Sequence, residues 1–342
     1  MPSLCGAHTF PPPPTTFGAA RVPDLARPTT TTRTGFLLVA AAAALWGTDG
    51  LFRFGLAEGL PGSTVVAAEH LILVVLMFPL LVRGARRARR TFSPGDVVAL
   101  LLVGVGASAV ATVLFTSAFA YGDPNTPLLL QQLQPVFAVL GARLLLGERL
   151  RRRFPVFFVA ALAGAFLVAF PDPTEVGVAG AAPALLAASA ALLWAMGTVL
   201  GRRLTAKVSF TELAALRFGV GLPAALALLP IGGGVQAATT LDGAAWLSLL
   251  LLALIPGLLG LVVYYRGLRG TPAASATLAE LAFPLSSLVV NYVAFGAVLT
   301  TSQVVGVALL AGTIAVMGVA HQRRPEAAGV AVPTRSGRVE TS

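Results

Sequence analysis

The chain has 342 residues, 56% of them apolar or aromatic and 11% charged, with 24 basic side chains against 14 acidic and a mean hydropathy of +0.84. A soluble domain is about 25% charged, so this composition excludes a water-covered enzyme and makes lipid the solvent. The formal charge of +10 does not point to a nucleic-acid partner, because the basic residues sit in short segments between apolar runs and not along one polar face.

Residues 1–34 carry Pro11 to Pro14 and Thr29 to Thr32 and read as a disordered cytoplasmic tail. Cys5 is the sole cysteine, which excludes an internal disulfide and a Cys-based metal cluster. Beyond the tail run apolar stretches of about 20 residues, the length that crosses roughly 30 Å of hydrocarbon. They predict transmembrane helices at 35–54, 62–82, 97–120, 126–147, 154–171, 178–201, 210–230, 244–265, 272–297 and 302–320. Turn chemistry marks the breaks at Leu60-Pro61-Gly62, Gly122-Asp123-Pro124-Asn125, Pro171-Asp172-Pro173, Gly232-Gly233-Gly234 and Gly270-Thr271-Pro272. The fold class expected is an all-α integral membrane protein of ten helices, ending in a polar tail at 321–342.

Cytoplasmic loops retain Lys and Arg. With the N-terminus inside, the inner segments hold Arg83, Arg86, Arg87, Arg89 and Arg90; Arg149 and Arg151 to Arg153; Arg202, Arg203 and Lys207; and Arg266 and Arg269. The outer loops keep Arg53 alone. Both termini are expected in the cytoplasm, with the chain in the cell membrane.

The halves of the chain repeat. Trp46 in "AALWGT" matches Trp194 in "ALLWAM", His70 matches Arg217, and Pro135 matches Pro284, at nearly one offset; this also aligns Phe115 with Tyr264 and Gln131 with Glu280. Two five-helix units follow, at 35–171 and 176–320. Because five is odd, the second starts from the opposite side of the membrane. Inverted repeats are the build of many secondary transporters, whose site lies near the midplane between them.

The "LWGT" turn, the stretch "TSAFAYGDPNTPLLLQQLQPVFAVLGARLLLGERL" and its weaker copy "YYRGLRGTPAASATLAELAFPLSSLVVNYVAFG" resemble the EamA family of the drug/metabolite transporter superfamily. The resemblance covers about 35–320. It implies ten helices in two EamA repeats and the carriage of small metabolites, often outward, without ATP. Two positions depart from the pattern: Ala297 stands where the first copy has Glu148, and Glu69-His70 stand where the second copy, and commonly the family, carries an Arg.

Ionisable groups inside spans are costly and so mark functional sites by default. Asp49, Glu69 and His70 fall in the outer half by residue count, and Arg217 and Glu280 in the inner half. Arg217 and Glu280 are expected to form a charge pair that either receives substrate and proton or only self-neutralises. His70, able to titrate near neutral pH, is either a proton relay, with protons as a coupling ion, or a hydrogen-bonded interior residue. Asp49 either faces His70 or Glu69 or sits in the outer headgroup zone. Gln131, Gln132 and Gln134 approach Pro135 and offer uncharged donors and acceptors to a polar solute or to a neighbouring helix. Trp46 and Trp194, in mid-span where the interfacial aromatic belt does not reach, are cavity-lining candidates, as is Tyr264; packing is the alternative for each. Pro284 cannot donate to the Glu280 carbonyl, which predicts a kink there. Gly104, Ser108, Gly164 and Gly306 are small enough to let helices approach closely.

Other classes find little support. Gly106-Ala107-Ser108-Ala109 lacks the closing Gly of an intramembrane serine protease, and His70 shows no Ser mate in the sequence. His-Glu-x-x-His, clustered Asp and a Walker motif are absent, so neither a metal nor any other cofactor is expected. The function predicted is an ATP-independent transporter of small metabolites, an exporter working by alternating access; a channel-like pore, and then an intramembrane enzyme, are the alternatives. Its partners would be a small-molecule substrate and the lipid bilayer.

Overall fold

The computed structural model describes residues 33–146, 152–172, 178–268, 271, 276 and 278–322, and among these every regular element is a helix. The tails, Cys5 and the Glu148-Arg149 helix end lie outside the described residues.

The first half begins with α1 (Arg33–Gly47) and α2 (Asp49–Gly59), which together are long and apolar enough to cross a membrane. They part at Thr48, whose hydroxyl donates to the Leu45 carbonyl at 2.7 Å. Next come α3 (Gly62–Leu76) and α4 (Phe78–Thr91), bent from each other by 80°. Pro79 lies in the first turn of α4, where its missing N–H is not needed. The span expected over 62–82 therefore ends at Leu76, and the arginines beyond it ride on a separate, largely exposed helix.

A continuous run then joins α5 (Pro94–Leu101), a π-helical stretch at Leu102–Val110 and α6 (Ala111–Phe119). Beyond it, α7 (Asn125–Leu130) passes through a tight turn at Gln131–Leu133 into α8 (Gln134–Leu146), and α9 (Phe154–Ala169) follows. The second half holds α10 (Val178–Leu204), α11 (Phe210–Leu228), the short α12 (Gly234–Thr239), α13 (Gly243–Leu252), a second π-helical stretch at Ala253–Leu259, α14 (Gly260–Leu268), α15 (Ala282–Phe295) and α16 (Thr301–Gln322).

Among the described residues six helical segments are long and apolar enough to span a bilayer, or seven when the bent α3–α4 pair is counted as one broken span. Phe154–Ala169, Ala282–Phe295 and Thr301–Met317 are apolar but shorter. At 1.5 Å per residue the first of these reaches about 24 Å. The chain is thus an all-helical, multi-pass membrane protein.

Packing ties the halves together: α1 lies against α14 and α15, while α10 lies against α6 and α8. The approach expected at Gly164 and Gly306 is present between α9 and α16. A Cβ at Gly164 would stand 2.9 Å from the Gly306 carbonyl oxygen, and one at Gly306 would stand 2.7 Å from that of Gly164. Backbones this close gain dispersion contacts that lipid cannot supply.

The prolines at 135 and 284 act alike. Neither can donate to the carbonyl four residues earlier; Gln134 N–H takes the Gln131 carbonyl instead, and Phe283 N–H takes that of Glu280 at 3.0 Å. The Glu280 carbonyl is therefore satisfied through a tighter turn and not freed, as the sequence alone suggested.

Candidate functional site

Arg53, expected in an outer loop, lies inside α2 and is 2% exposed. Four residues from Asp49, it projects from the same helix face. Its Nε and Nη2 donate to Asp49 Oδ1 and Oδ2 at 2.6 and 3.0 Å, and its Nη1 and Nη2 reach Glu69 Oε2 and Oε1 at 3.1 and 3.3 Å. Nη1 also donates to Thr116 Oγ1 at 2.8 Å, and the guanidinium carbon stands 5.7 Å from the Phe115 ring centre. Asp49 and Glu69 are thus held by Arg53; the partnership considered for Asp49 with Glu69 exists only through this arginine, and none exists with His70.

His70 turns the other way. Its Nδ1 lies 2.9 Å from the Val66 carbonyl, so that nitrogen carries the proton, and Nε2, 3.1 Å from Ser108 Oγ, accepts from the hydroxyl. The same hydroxyl oxygen accepts from Arg217 Nε at 3.4 Å. The result is a directed chain, Arg217 to Ser108 to His70 to the Val66 carbonyl, in which the histidine is neutral. His70 does have a serine mate, contrary to the sequence reading. With Ser108 and His70 at 0% and 1% exposure, the pair leaves no room for a substrate carbonyl, which is the geometry of a packed interior group. Ser108 lies in the first π-helical stretch, a local irregularity common at functional sites.

Arg217 and Glu280 do not pair. Tyr264 donates its hydroxyl to Glu280 Oε1 in a short hydrogen bond, whereas the guanidinium of Arg217 lies over Phe218 at 5.2 Å and makes no ion pair among the described residues. Nor do inner and outer groups separate by depth, since Arg217 and His70 share one hydroxyl.

The aromatic candidates meet in crossed pairs. Trp46 packs on Tyr264 with ring centres 4.8 Å apart, and Trp194 packs on Phe115 at 5.0 Å. Each tryptophan thus touches a ring from the other half of the chain, at positions the internal alignment matches. Tyr265 lies beside Tyr264 at 5.7 Å. Trp46, Trp194, Tyr264, Gln131, Gln134 and Glu280 are all partly exposed, and Gln134 Nε2 donates to Thr198 Oγ1 at 3.4 Å.

Ion pairs also join the halves at the arginine-rich ends of the helices. Asp96, fully buried, accepts from the Ser93 N–H and hydroxyl at the start of α5 and pairs with Arg203, 2.7 Å away, and Lys207. Glu212, in the matching capping box of α11 with Ser209, faces Arg83 and Arg87 of α4 at 3.4 and 3.6 Å. Elsewhere, buried Asn291 of α15 donates to the Pro124 carbonyl and to Asn125 Oδ1 at 3.0 and 2.9 Å.

Arg53, Thr116, Ser108 and Asn291 are the residues missing from the sequence list. For Arg53 a signal existed, the four-residue spacing to Asp49. For the others, partners 38 to 167 positions away carry the contact.

The EamA-like transporter family model matches residues 33–170 and again 181–319. The riboflavin transporter ImpX of Fusobacterium nucleatum subsp. nucleatum is 32% identical over 284 residues, covering 81% of this chain and 94% of that one. An uncharacterized protein of Pseudomonas aeruginosa, PA1977, is 29% identical over 256 residues, 74% of this chain and 83% of its own. A protein crystal structure superposes with a TM-score of 0.55 at 23% identity, over 85% of this chain and 99% of the other, a likeness of fold.

Proposed function

Since this chain belongs to the EamA-like transporter family of the drug/metabolite transporter superfamily, we propose that it is a secondary carrier of small, flat amphipathic metabolites. Riboflavin, named for the ImpX relative, is the first solute to test. In this reading ten membrane helices form two inverted five-helix repeats, with both termini in the cytoplasm and the protein in the cell membrane. Trp46, Trp194, Tyr264, Gln131, Gln134 and Glu280 line the path.

The observation that carries the reading is the crossed aromatic pairing of Trp46 with Tyr264 and Trp194 with Phe115. The partly exposed rings of Trp46, Trp194 and Tyr264, contributed by both halves and backed on one side by buried Phe115, suit a planar solute that must be gripped by each half in turn. Two symmetric halves that rock about such a site give alternating access. The Asp96 and Glu212 ion pairs join one half to the other at the end proposed as cytoplasmic, so opening there must separate them. Glu280, held by Tyr264, is the group best placed to take a coupling proton, because His70 is committed at both nitrogens.

A carrier without ATP is reversible, and its net direction is that of the gradients across it; outward carriage is the direction drawn from the family resemblance. Inside-out vesicles loaded with riboflavin or other ring metabolites, with and without an imposed proton gradient, test this. The expected result is saturable flux, reduced at least tenfold by Trp46→Ala or Trp194→Ala while insertion stays normal. Wild-type flux in both variants would move the site elsewhere, and flux indifferent to the proton gradient would remove the proton.

A further inference from the structure

Two arginines between the helices, Arg53 buried and Arg217 partly exposed, differ in what satisfies them. Arg53 spends its donors on two carboxylates and a hydroxyl. Arg217 makes one long hydrogen bond, from Nε to Ser108, and its two terminal nitrogens have no hydrogen-bond partner among the described residues. Asn291 Oδ1 is the one fully buried side-chain polar atom without a partner among the described residues, so the free Nη pair of Arg217 borders accessible space. The Ser108–His70 chain fixes the inner edge of the guanidinium and leaves the Nη edge as a preset fork.

Beside this fork stand Tyr265, within electrostatic reach of it, then Tyr264 and Trp46 in contact succession. The Arg217 guanidinium is thus linked to the aromatic plates through Tyr265. Charge decides what the fork takes. The Arg53 network sets two carboxylates, Asp49 and Glu69, against one guanidinium, and its Glu69 lies within electrostatic reach of Arg217, so the charge of Arg217 is already offset and an anionic ligand would leave the region net negative in a medium that screens it poorly. A neutral group with two adjacent in-plane acceptors satisfies the fork at no such cost. A guanidinium grips the carbonyl oxygen and ring nitrogen of guanine in this way.

Building on the proposed carrier function, we infer that Arg217 is a specificity-determining residue, whose Nη pair reads a carbonyl oxygen and an adjacent ring nitrogen on one edge of a neutral fused heteroaromatic substrate. In a flavin this is the O4/N5 edge. Ser108 and His70 are positioning residues, acting through the guanidinium.

The test is a binding and counterflow comparison of three probes on the full-length protein in lipid: riboflavin, 5-deazariboflavin, which has CH in place of N5, and riboflavin 5′-phosphate. Wild type should bind 5-deazariboflavin roughly tenfold or more weakly than riboflavin, the scale of a lost hydrogen bond to a charged donor. Arg217→Met should bind riboflavin more weakly and bring the ratio near one. Ser108→Ala, which frees the guanidinium but keeps it, should reduce the ratio and leave it above one. The phosphate should bind no better than riboflavin. Equal binding of riboflavin and 5-deazariboflavin by wild type overturns the inference whether or not the variants fold, as does preference for the phosphate. Flux of other solutes with no flavin binding overturns it and leaves the carrier standing; no flux of any solute removes the carrier, and the inference with it.

Discussion

Arg53 sits where two carboxylates converge, and that placement fixes what its removal costs. Taking one partner from a buried ion network leaves uncompensated charge, at about 3–5 kcal/mol. Arg53→Ala should therefore lower unfolding stability in detergent by about that amount. Arg53→Lys should not rescue it, because an ammonium cannot fork onto Asp49 while also reaching Glu69 and Thr116. Denaturant unfolding followed by tryptophan fluorescence checks both, and wild-type stability in Arg53→Ala would show the network to be idle. Half of this network was legible in the sequence. Asp49 and Arg53 stand one helical turn apart, but Glu69 belongs to another helix, and nothing in linear spacing brings it near. Arg53 counts with the outer-loop charges in the sequence because it stands at the very end of the first span, drawn to residue 54, and composition cannot fix that boundary to within a turn.

Helix-level features divide by whether a single residue type enforces them. Pro135 and Pro284 forbid a backbone hydrogen bond wherever they stand, so the breaks before them were readable. The π-helical stretches at Leu102–Val110 and Ala253–Leu259 are registers of hydrogen bonding that any apolar sequence adopts when neighbours require it, and only the second has a proline, Pro256, to hint at it. Gly164 and Gly306 were legible as small residues, though their pairing required the fold. Gly164→Val or Gly306→Val should each cost about 1–3 kcal/mol by forcing apart backbones already in contact, seen as a fall in thermal stability; unchanged stability in both would mean that α9 and α16 do not pack this way. At the arginine-rich ends, Asp96 clamps α5 to the end of α10. In a Cys5→Ser background, a cysteine placed by Leu204→Cys, a position 0% exposed, should react slowly with maleimide. Adding Asp96→Ala should speed that reaction about tenfold, a factor worth 1.4 kcal/mol of easier opening. Equal rates would show that Asp96 does not hold this end shut.

Across the whole molecule, the low charge content that excluded a soluble protein also left a short list of charges within the spans. What composition could not reveal was how they are divided: a sealed triad around Arg53, a neutral His70–Ser108 chain, a Glu280 held by Tyr264, and an Arg217 with donors to spare. The proposed symmetry of the two halves gives this division a shape, since His70 and Arg217, matched in the repeat, meet at one serine, and the matched aromatic pairs cross from half to half. The proposed carrier works by moving one half against the other around a shared site, and the kinetics of a carrier differ from those of a pore in one respect that no mutation is needed to reveal. In proteoliposomes loaded with unlabelled riboflavin, uptake of labelled riboflavin from outside should saturate and be accelerated several-fold over that into empty vesicles; uptake that rises linearly with concentration and ignores the internal solute would contradict alternating access and make the protein a pore.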